Sequence, residues 1–369
     1  MTQSTAAPRF RRIAINTGGG DAPGLNAVIR AATLSALHNG WEVLGIRRGY
    51  TGLLEGEVDG EPGVFPLTFQ AVRGITHLGG TILGTTTRGN PFGLDVRKPD
   101  GTWGTVDRST EIVNRIKALD VDALIAIGGD GSLQIAHALY EKGLPVIGVP
   151  KTIDNDLRAT DMTFGFQTAV EVATDAIGRL HSTAESHQRV MVVEVMGRHT
   201  GWIALESGLA GGADVILIPE IPYSTESILE KVISRDAAGR RFSIVVVAEG
   251  SRPRDGEPSF VDQTNRYGGI ADRLAAEIQA ASGKETRSMV LGHIQRGGSP
   301  IAYDRNLALR FGAAAVRCIH DGRLGTMVAL QGDSIGPVPL LDAVGEIKRV
   351  NLDSDRIMTA RQLGVALGD

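Results

Sequence analysis

Two aspartates two residues apart, Asp154 and Asp156, stand in the run Pro150-Lys151-Thr152-Ile153-Asp154-Asn155-Asp156. Such a pair suits one general base and one carboxylate that directs a metal ion. Lys151 and Thr152 set a cation and a hydroxyl donor beside them. The same residue types also build a polar turn capped by Asp or Asn. Upstream lies Gly128-Gly129-Asp130-Gly131-Ser132. Its glycines leave backbone N–H groups open to phosphate, and Asp130 suits Mg²⁺ bound through a shell of waters. A turn capped by Asp is the alternative. A third run, Gly18-Gly19-Gly20-Asp21-Ala22-Pro23-Gly24, allows close backbone approach to an anion just before a helix. It has no Lys-Ser/Thr of a Walker A loop and is not GxGxxG.

These runs need elements to aim them. Apolar stretches at Ile13–Ile15, Val43–Ile46, Ala123–Ile127 and Val146–Val149 read as strands. So do Val190–Val195, Val215–Ile218, Ser243–Ala248 and Ser288–Leu291. Amphipathic periodicity predicts helices over Leu25–His38, Glu111–Leu119 (capped by Ser109 or Thr110), Thr168–Ala184, Thr225–Ser234, Ile270–Ala281 and Tyr303–Asp321. Strand–loop–helix alternation implies an α/β chain with mostly parallel sheets. The expected architecture is two similar three-layer lobes, with ligands in a cleft at the carboxyl ends of strands.

Bulk properties narrow the chemistry. The chain has 369 residues, enough for two compact domains. Net charge is −4, so no overall field draws nucleic acid or an acidic membrane, and an anionic substrate must be met by local arginines. Aromatic residues are only 5%, which argues against a single-strand nucleic-acid platform. The single cysteine, Cys318, excludes an internal disulfide and a cysteine zinc site, and suits a buried apolar position. Met1–Arg12 is polar and then basic, with no apolar core of a signal peptide. With no long apolar run, a cytoplasmic protein is expected.

Taken together, Gly19-Gly20-Asp21-Ala22-Pro23-Gly24-Leu25-Asn26, the Gly-Gly-Asp-Gly loop, Thr152-Ile153-Asp154-Asn155-Asp156, Met196-Gly197-Arg198 and Gly292-His293-Ile294-Gln295-Arg296-Gly297-Gly298-Ser299-Pro300 resemble the phosphofructokinase family in order and spacing. The likeness runs from Ile13 to the last helix. It implies phosphoryl transfer from Mg-ATP to the 1-hydroxyl of fructose 6-phosphate, a step of glycolysis. Residues 1–165 plus 295–345 would form the donor lobe, and 166–294 plus 346–369 the acceptor lobe.

The resemblance also assigns roles. Asp154 is the general base, with Thr152 and Arg198 beside it in the catalytic set. Thr152, Asp154, Asp156, Met196, Gly197, Arg198, Glu249, His293 and Arg296 meet the sugar phosphate. Arg189 and Arg287 do so from a neighbouring subunit of a homodimer or homotetramer. Gly20, Tyr50, Arg88, Gly129, Asp130, Gly131, Ser132 and Lys151 hold the donor, and Asp130 and Asp156 place Mg²⁺. Arg88 lies in a segment longer than in well-known bacterial ATP enzymes.

Donor choice rests on opposed signals. Gly131 leaves room for an α-phosphate where pyrophosphate enzymes of the family carry Asp. Lys151 is the residue those pyrophosphate enzymes carry, and Ile135 replaces a Gly that makes room for a nucleoside. ATP is the main expectation and pyrophosphate the alternative. A nucleotide-cofactor oxidoreductase and a non-catalytic sugar-phosphate sensor are lesser ones. Arg30 and Arg240 match cations of the family's effector site, whereas Leu34, His181 and Asp214 depart from it, so a weak response to ADP or phosphoenolpyruvate is expected.

Overall fold

A computed structural model of the chain describes residues 10–97, 100–260 and 267–369, so the first nine residues of the basic N-terminal run lie outside it. In chain order the strands are β1 Arg12–Thr17, β2 Glu42–Ile46, the hairpin β3 Glu57–Val58 and β4 Glu61–Pro62, β5 Val64–Pro66, and the hairpin β6 Leu94–Arg97 and β7 Trp103–Val106. Then come β8 Ala123–Gly128, β9 Val146–Thr152, β10 Phe164–Gly165, β11 Val190–Val195, β12 Val215–Leu217, β13 Ser243–Ala248, β14 Thr286–Val290, β15 Thr326–Gln331 and β16 Ser334–Pro339. The helices are α1 Leu25–His38, α2 Thr51–Glu55, α3 Ser109–Ala118, α4 Asp130–Glu141, α5 Phe166–His187, α6 Trp202–Ala210, α7 Thr225–Ala237, α8 Ile270–Ser282, α9 Ala302–His320, α10 Leu340–Ala343 and α11 Asp355–Gln362.

The chain divides into two compact units. The first runs to Thr152 and takes in Leu157–Gly165 and Gly297–Ile347. Its sheet has the order β16-β15-β9-β8-β1-β2-β5, with β10 beside β9. The central strands are parallel and the outermost pairs, β15–β16 and β2–β5, are antiparallel. Both faces of this sheet are buried, which is why its strands read as near-continuous apolar runs. Ile13, Ile15, Ile125, Ile127, Ile147 and Val149 share one core with α1 and α9. Ala14, Leu124, Ala126 and Val146 share the opposite core with α3 and α4.

The second unit comprises Ile153–Asp156, Phe166–Arg296 and Lys348–Asp369. Its four parallel strands lie in the order β12-β13-β11-β14. One face carries Val190, Val192, Val245 and Val247 against α7 and α8, and α5 and α6 lie on the other.

Two local expectations need correction. Ser109 is the first residue of α3, not its cap; Asp107 accepts hydrogen bonds from the Ser109 N–H (2.8 Å) and hydroxyl. Pro150–Thr152 is not loop: β9 continues through Thr152, because β10 pairs with it at Lys151 and Thr152. Cys318 is buried in α9, as its apolar character implies. No helix among the described residues is long and apolar enough to cross a membrane.

Candidate active site

In the first unit, two glycine-rich runs and the end of β9 come together. β1 lies beside β8 in parallel, so the turns that follow them are neighbours. The Gly18 N–H donates to Ile127 C=O (2.9 Å) and the Gly19 N–H to Thr86 C=O (3.0 Å). The amides of Gly18 and Gly19 are therefore spent on the fold, which leaves Gly20 as the glycine amide of this run to which the donor role is given. Lys151 is buried (3% exposed) and its ammonium donates to Gly20 C=O. A buried cation at a backbone turn is costly unless an anion is close by.

Gly128-Gly129-Asp130-Gly131-Ser132 is split between two elements. Gly128 ends β8, Gly129 is the extended N-cap, and Asp130, Gly131 and Ser132 open α4. Backbone N–H groups at a helix start favour an anion. Gly128 is required by packing, since a Cβ there would meet Ser132 Cβ at 2.3 Å. Gly131 is different: it is exposed, and a Cβ would meet nothing within 4 Å. The fold does not need glycine at 131 for packing, and the space beside its Cα at the helix start is open.

Asp130 is half-buried, and it accepts from Gly345 N–H (3.0 Å) and Gln134 Nε2–H (2.7 Å). A carboxylate has about four acceptor sites, so it retains capacity for metal-bound water. Among the described residues no cluster of three or more His, Cys, Asp or Glu could hold an ion alone. Mg²⁺ takes one or two carboxylates and draws its other ligands from phosphates and water, and the open acceptor sites of Asp130 suit that role.

Two donor expectations fare differently. Tyr50 is a core side chain, 5% exposed, and burial pushes its hydroxyl up to about 12. It presents no free face for a base to stack on. Arg88 is exposed, and its backbone N–H is held by Thr86 Oγ1 (3.1 Å). Ile135 is half-buried and packs against the core beside Leu133 and Ala136.

In the second unit the carboxyl ends of three adjacent strands carry the next set. Met196, Gly197 and Arg198 follow β11, Glu249 follows β13, and His293 and Arg296 follow β14. The Glu249 N–H donates to Val195 C=O (2.9 Å). A Cβ at Gly250 would meet Arg198 O at 1.8 Å, so glycine is what lets these two turns touch. Gln295, fully buried, accepts from the Met196 N–H (3.4 Å) and donates to Gly292 C=O (3.0 Å). It joins the His293 turn to the Met-Gly-Arg turn. Arg198 lies over the Tyr267 ring, 5.7 Å from its centroid.

Glu249 is pushed up to about 7. Burial is the main cause, followed by repulsion from Asp154 and Glu194; Arg198 and Arg296 oppose it. The electrostatics thus place Asp154, Glu249, Arg198 and Arg296 in one neighbourhood. Because the folded group resists ionisation, its stabilising contribution is full below pH 4.5 and lost as pH rises through 7. That loss amounts to about 3 kcal/mol for a shift of this size. Glu249→Gln is therefore expected to raise Tm at pH 8.5, with a smaller gain at pH 5.5. Thermal melts at the two pH values check it, and an equal gain at both would remove the carboxylate as the cause.

Arg189 and Arg287 lie elsewhere in the same unit. Arg189 precedes β11, and Arg287 is opposite Met191 at the start of β14. Both pair with Glu285, Arg189 at 2.8 Å. At about 3.3 Å per residue, the length of β11 puts this cluster roughly 20 Å from the Glu249 end. β14 is an edge strand, and Met289 and Val290 on it are 37% and 52% exposed.

The positions of the anticipated effector site are largely engaged within the chain. Asp214 pairs with Arg235 at 2.7 Å, His181 Nε2 meets Gly211 C=O at 2.7 Å, and Arg30 donates to Val72 C=O at 2.6 Å. Millimolar ADP or phosphoenolpyruvate is expected to move the acceptor KM less than about twofold; a tenfold shift in saturation curves would contradict this.

Sequence reasoning passed over Glu194, Thr200, Trp202, Gln295 and Lys348. Glu194 had a signal, an acid inside an apolar strand. It is 2% exposed and accepts from the Ala271 N–H (3.0 Å) at the start of α8. Lys348 had none, lying in an irregular segment far along the chain from the residues it touches.

The family model described as phosphofructokinase matches residues 12–319. The ATP-dependent 6-phosphofructokinase of Chloroflexus aurantiacus is 54% identical over 363 residues, covering 98% of this chain and 99% of that one. A Streptomyces coelicolor protein, pyrophosphate–fructose 6-phosphate 1-phosphotransferase, is 50% identical over 348 residues, covering 92% and 96%. Phosphofructokinase from Pichia pastoris, solved in the T-state, superposes with a TM-score of 0.75 at 34% identity, over 92% of this chain and 36% of that longer one. The glycine-rich turns after β1 and β8, the Asp154 segment, and the acid and arginines at the ends of β11, β13 and β14 are thus set in a matching sequence and fold, and the chain belongs to the phosphofructokinase family.

Proposed function

We infer that the chain is an ATP-dependent 6-phosphofructokinase: a kinase that transfers the terminal phosphoryl group of ATP to the 1-hydroxyl of fructose 6-phosphate. The observation that carries the donor choice is Gly131, a glycine kept at an exposed helix start where the fold has no use for one. Pyrophosphate remains the second reading, favoured by the buried Lys151 cation beside Gly20 and by a pyrophosphate-named relative at 50% identity.

The proposed chemistry is in-line transfer. Asp154 takes the proton of the sugar 1-hydroxyl while that oxygen bonds to the γ-phosphorus. The bond from phosphorus to the bridging oxygen breaks, and its electron pair leaves with ADP. Thr152, two residues before the base, donates its hydroxyl to the transferring group together with the Gly20 N–H and Arg88. Arg198 neutralises charge beside Asp154. Glu249 accepts hydrogen bonds from sugar hydroxyls, with Met196 and Gly197 shaping the same turn. His293 and Arg296 meet the 6-phosphate, where a guanidinium makes paired charge-assisted bonds. Gly129, Gly131, Ser132 and Lys151 face the donor phosphates. Asp130 and Asp156 are the carboxylates that would hold Mg²⁺, which neutralises charge on those phosphates when bound.

Arg189 and Arg287 are too far along the sheet to serve the same sugar phosphate, which supports their acting in a neighbouring subunit. The exposed edge at Met289 and Val290 is an apolar surface of the kind a second copy covers. We read the enzyme as a homodimer or homotetramer in the cytoplasm, with residues up to 165 and 295–345 as donor lobe and 166–294 with 346–369 as acceptor lobe.

The product tests the acceptor position. Incubation with Mg²⁺, ATP and fructose 6-phosphate is expected to give a new phosphomonoester on carbon 1, read by ³¹P and ¹³C NMR. A product phosphorylated at another carbon would overturn the assignment.

A further inference from the structure

The turn that carries Asp154 is in a conformation that needs support. Asn155, 4% exposed, has φ +49°, a left-handed backbone that L-residues adopt sparingly. The direction of the carboxylates on either side depends on it. Within the second unit, one residue reaches this turn twice. Lys348 Nζ donates to Asn155 Oδ1 (3.1 Å), and the Lys348 N–H donates to Asp156 C=O (2.8 Å). Lys348 is braced in turn: its C=O accepts from Trp202 Nε1–H (2.8 Å), and its ammonium lies 5.8 Å from the Trp202 ring centroid. Thr200, on the same stretch as Trp202, donates its hydroxyl to Asp154 C=O (3.3 Å). The Glu220 carboxylate accepts from both the Gly201 N–H (3.0 Å) and the Val350 N–H (2.9 Å), tying the Trp202 stretch to the Lys348 stretch.

We propose that Lys348, braced by Trp202, is a positioning residue that aims Asp154 by holding Asn155 in its left-handed turn. This rests on the reading of Asp154 as general base. Misplacing a reacting group by about 1 Å costs on the order of 10² in rate. The effect should therefore fall on turnover, with acceptor binding left to Glu249 and the arginines.

Lys348→Met keeps the aliphatic stem beside Trp202 and removes the donor. It is expected to lower kcat about 10- to 100-fold, leave the fructose 6-phosphate Kd within threefold by calorimetry without donor, and keep Tm within about 3 °C. Lys348→Arg should recover at least part of the kcat loss. A merely structural role would not give the next result: in an Asp154→Ser background, Lys348→Met should cost less than about threefold more, because it acts through the missing base. Should Lys348→Met not fold, Trp202→Phe, which removes the indole N–H donor and keeps a smaller aromatic ring, should show the same split between kcat and Kd. Wild-type kcat in a folded Lys348→Met enzyme, or a full further loss in the Asp154→Ser background, would overturn the proposal. Undiminished turnover in Asp154→Ser alone would overturn the base assignment instead.

Discussion

Asp154→Ser is expected to lower kcat by about 10²–10⁴ while holding fructose 6-phosphate affinity within a few-fold. The prediction follows from what the side chain is asked to do. A general base acts on the proton that leaves in the transition state, so its removal raises the barrier without weakening the bound sugar. Two features of the site make the separation clean. The backbone of the turn is held from outside, by Thr200 at Asp154 C=O and by Lys348 at Asp156 C=O, so losing the carboxylate does not release the turn. The groups assigned to the sugar and its phosphate, Glu249, His293 and Arg296, come from the ends of β13 and β14. Removing the Asp154 charge also removes a repulsion on Glu249, which shifts its titration downward from about 7. Single-turnover kinetics with equilibrium binding measure both parts. Retained turnover would take Asp154 out of the mechanism.

Gly131→Asp is expected to cut kcat/KM for ATP by about 5- to 10³-fold and to leave the fold intact. Two unit charges about 4 Å apart repel by about 1 kcal/mol in water and about 4 kcal/mol at a protein surface, which sets that range. The usual objection, that a glycine substitution breaks the structure, has no purchase here. A Cβ at 131 meets nothing within 4 Å, and the position is in the first turn of α4. There an acidic residue is favoured by the helix dipole, by about 0.3–1 kcal/mol. Tm should hold or rise while ATP turnover falls. Pyrophosphate, which has no α-phosphate, should be affected less. Equal ATP kinetics in the variant would mean that Gly131 does not face the donor.

The two sheets were legible because their strands are buried on both faces. Val190–Val195, apolar but for Glu194, and Ile244–Ala248 are apolar runs, and they end as strands where the sequence changes character. The antiparallel edge pair β15–β16 was not read, since Ser334–Pro339 carries two prolines and a glycine and is half exposed. The Asp154 segment was legible as chemistry but not as geometry. Nothing in Thr152-Ile153-Asp154-Asn155-Asp156 marks Asn155 as left-handed, or assigns Thr152 to one compact unit and Asp154 to the other. Those facts depend on partners distant in the chain, as Lys348 is from Asn155. Likewise Arg189 and Arg287 look like independent cations until the β11–β14 register sets them on one carboxylate, Glu285. Tyr50 was the opposite case: a tyrosine at a strand-end turn is more often packing than a ligand contact, and here the side chain is buried in the core.

Donor choice is the central claim, and parallel steady-state saturation curves test it most directly: ATP or pyrophosphate varied against saturating fructose 6-phosphate and Mg²⁺ with the wild-type enzyme. Saturable turnover with ATP, and a kcat/KM for ATP well above that for pyrophosphate, is the expected result. Robust turnover with pyrophosphate and none with ATP would contradict it, and would make the Lys151 cation, not the open space at Gly131, the feature that selects the donor.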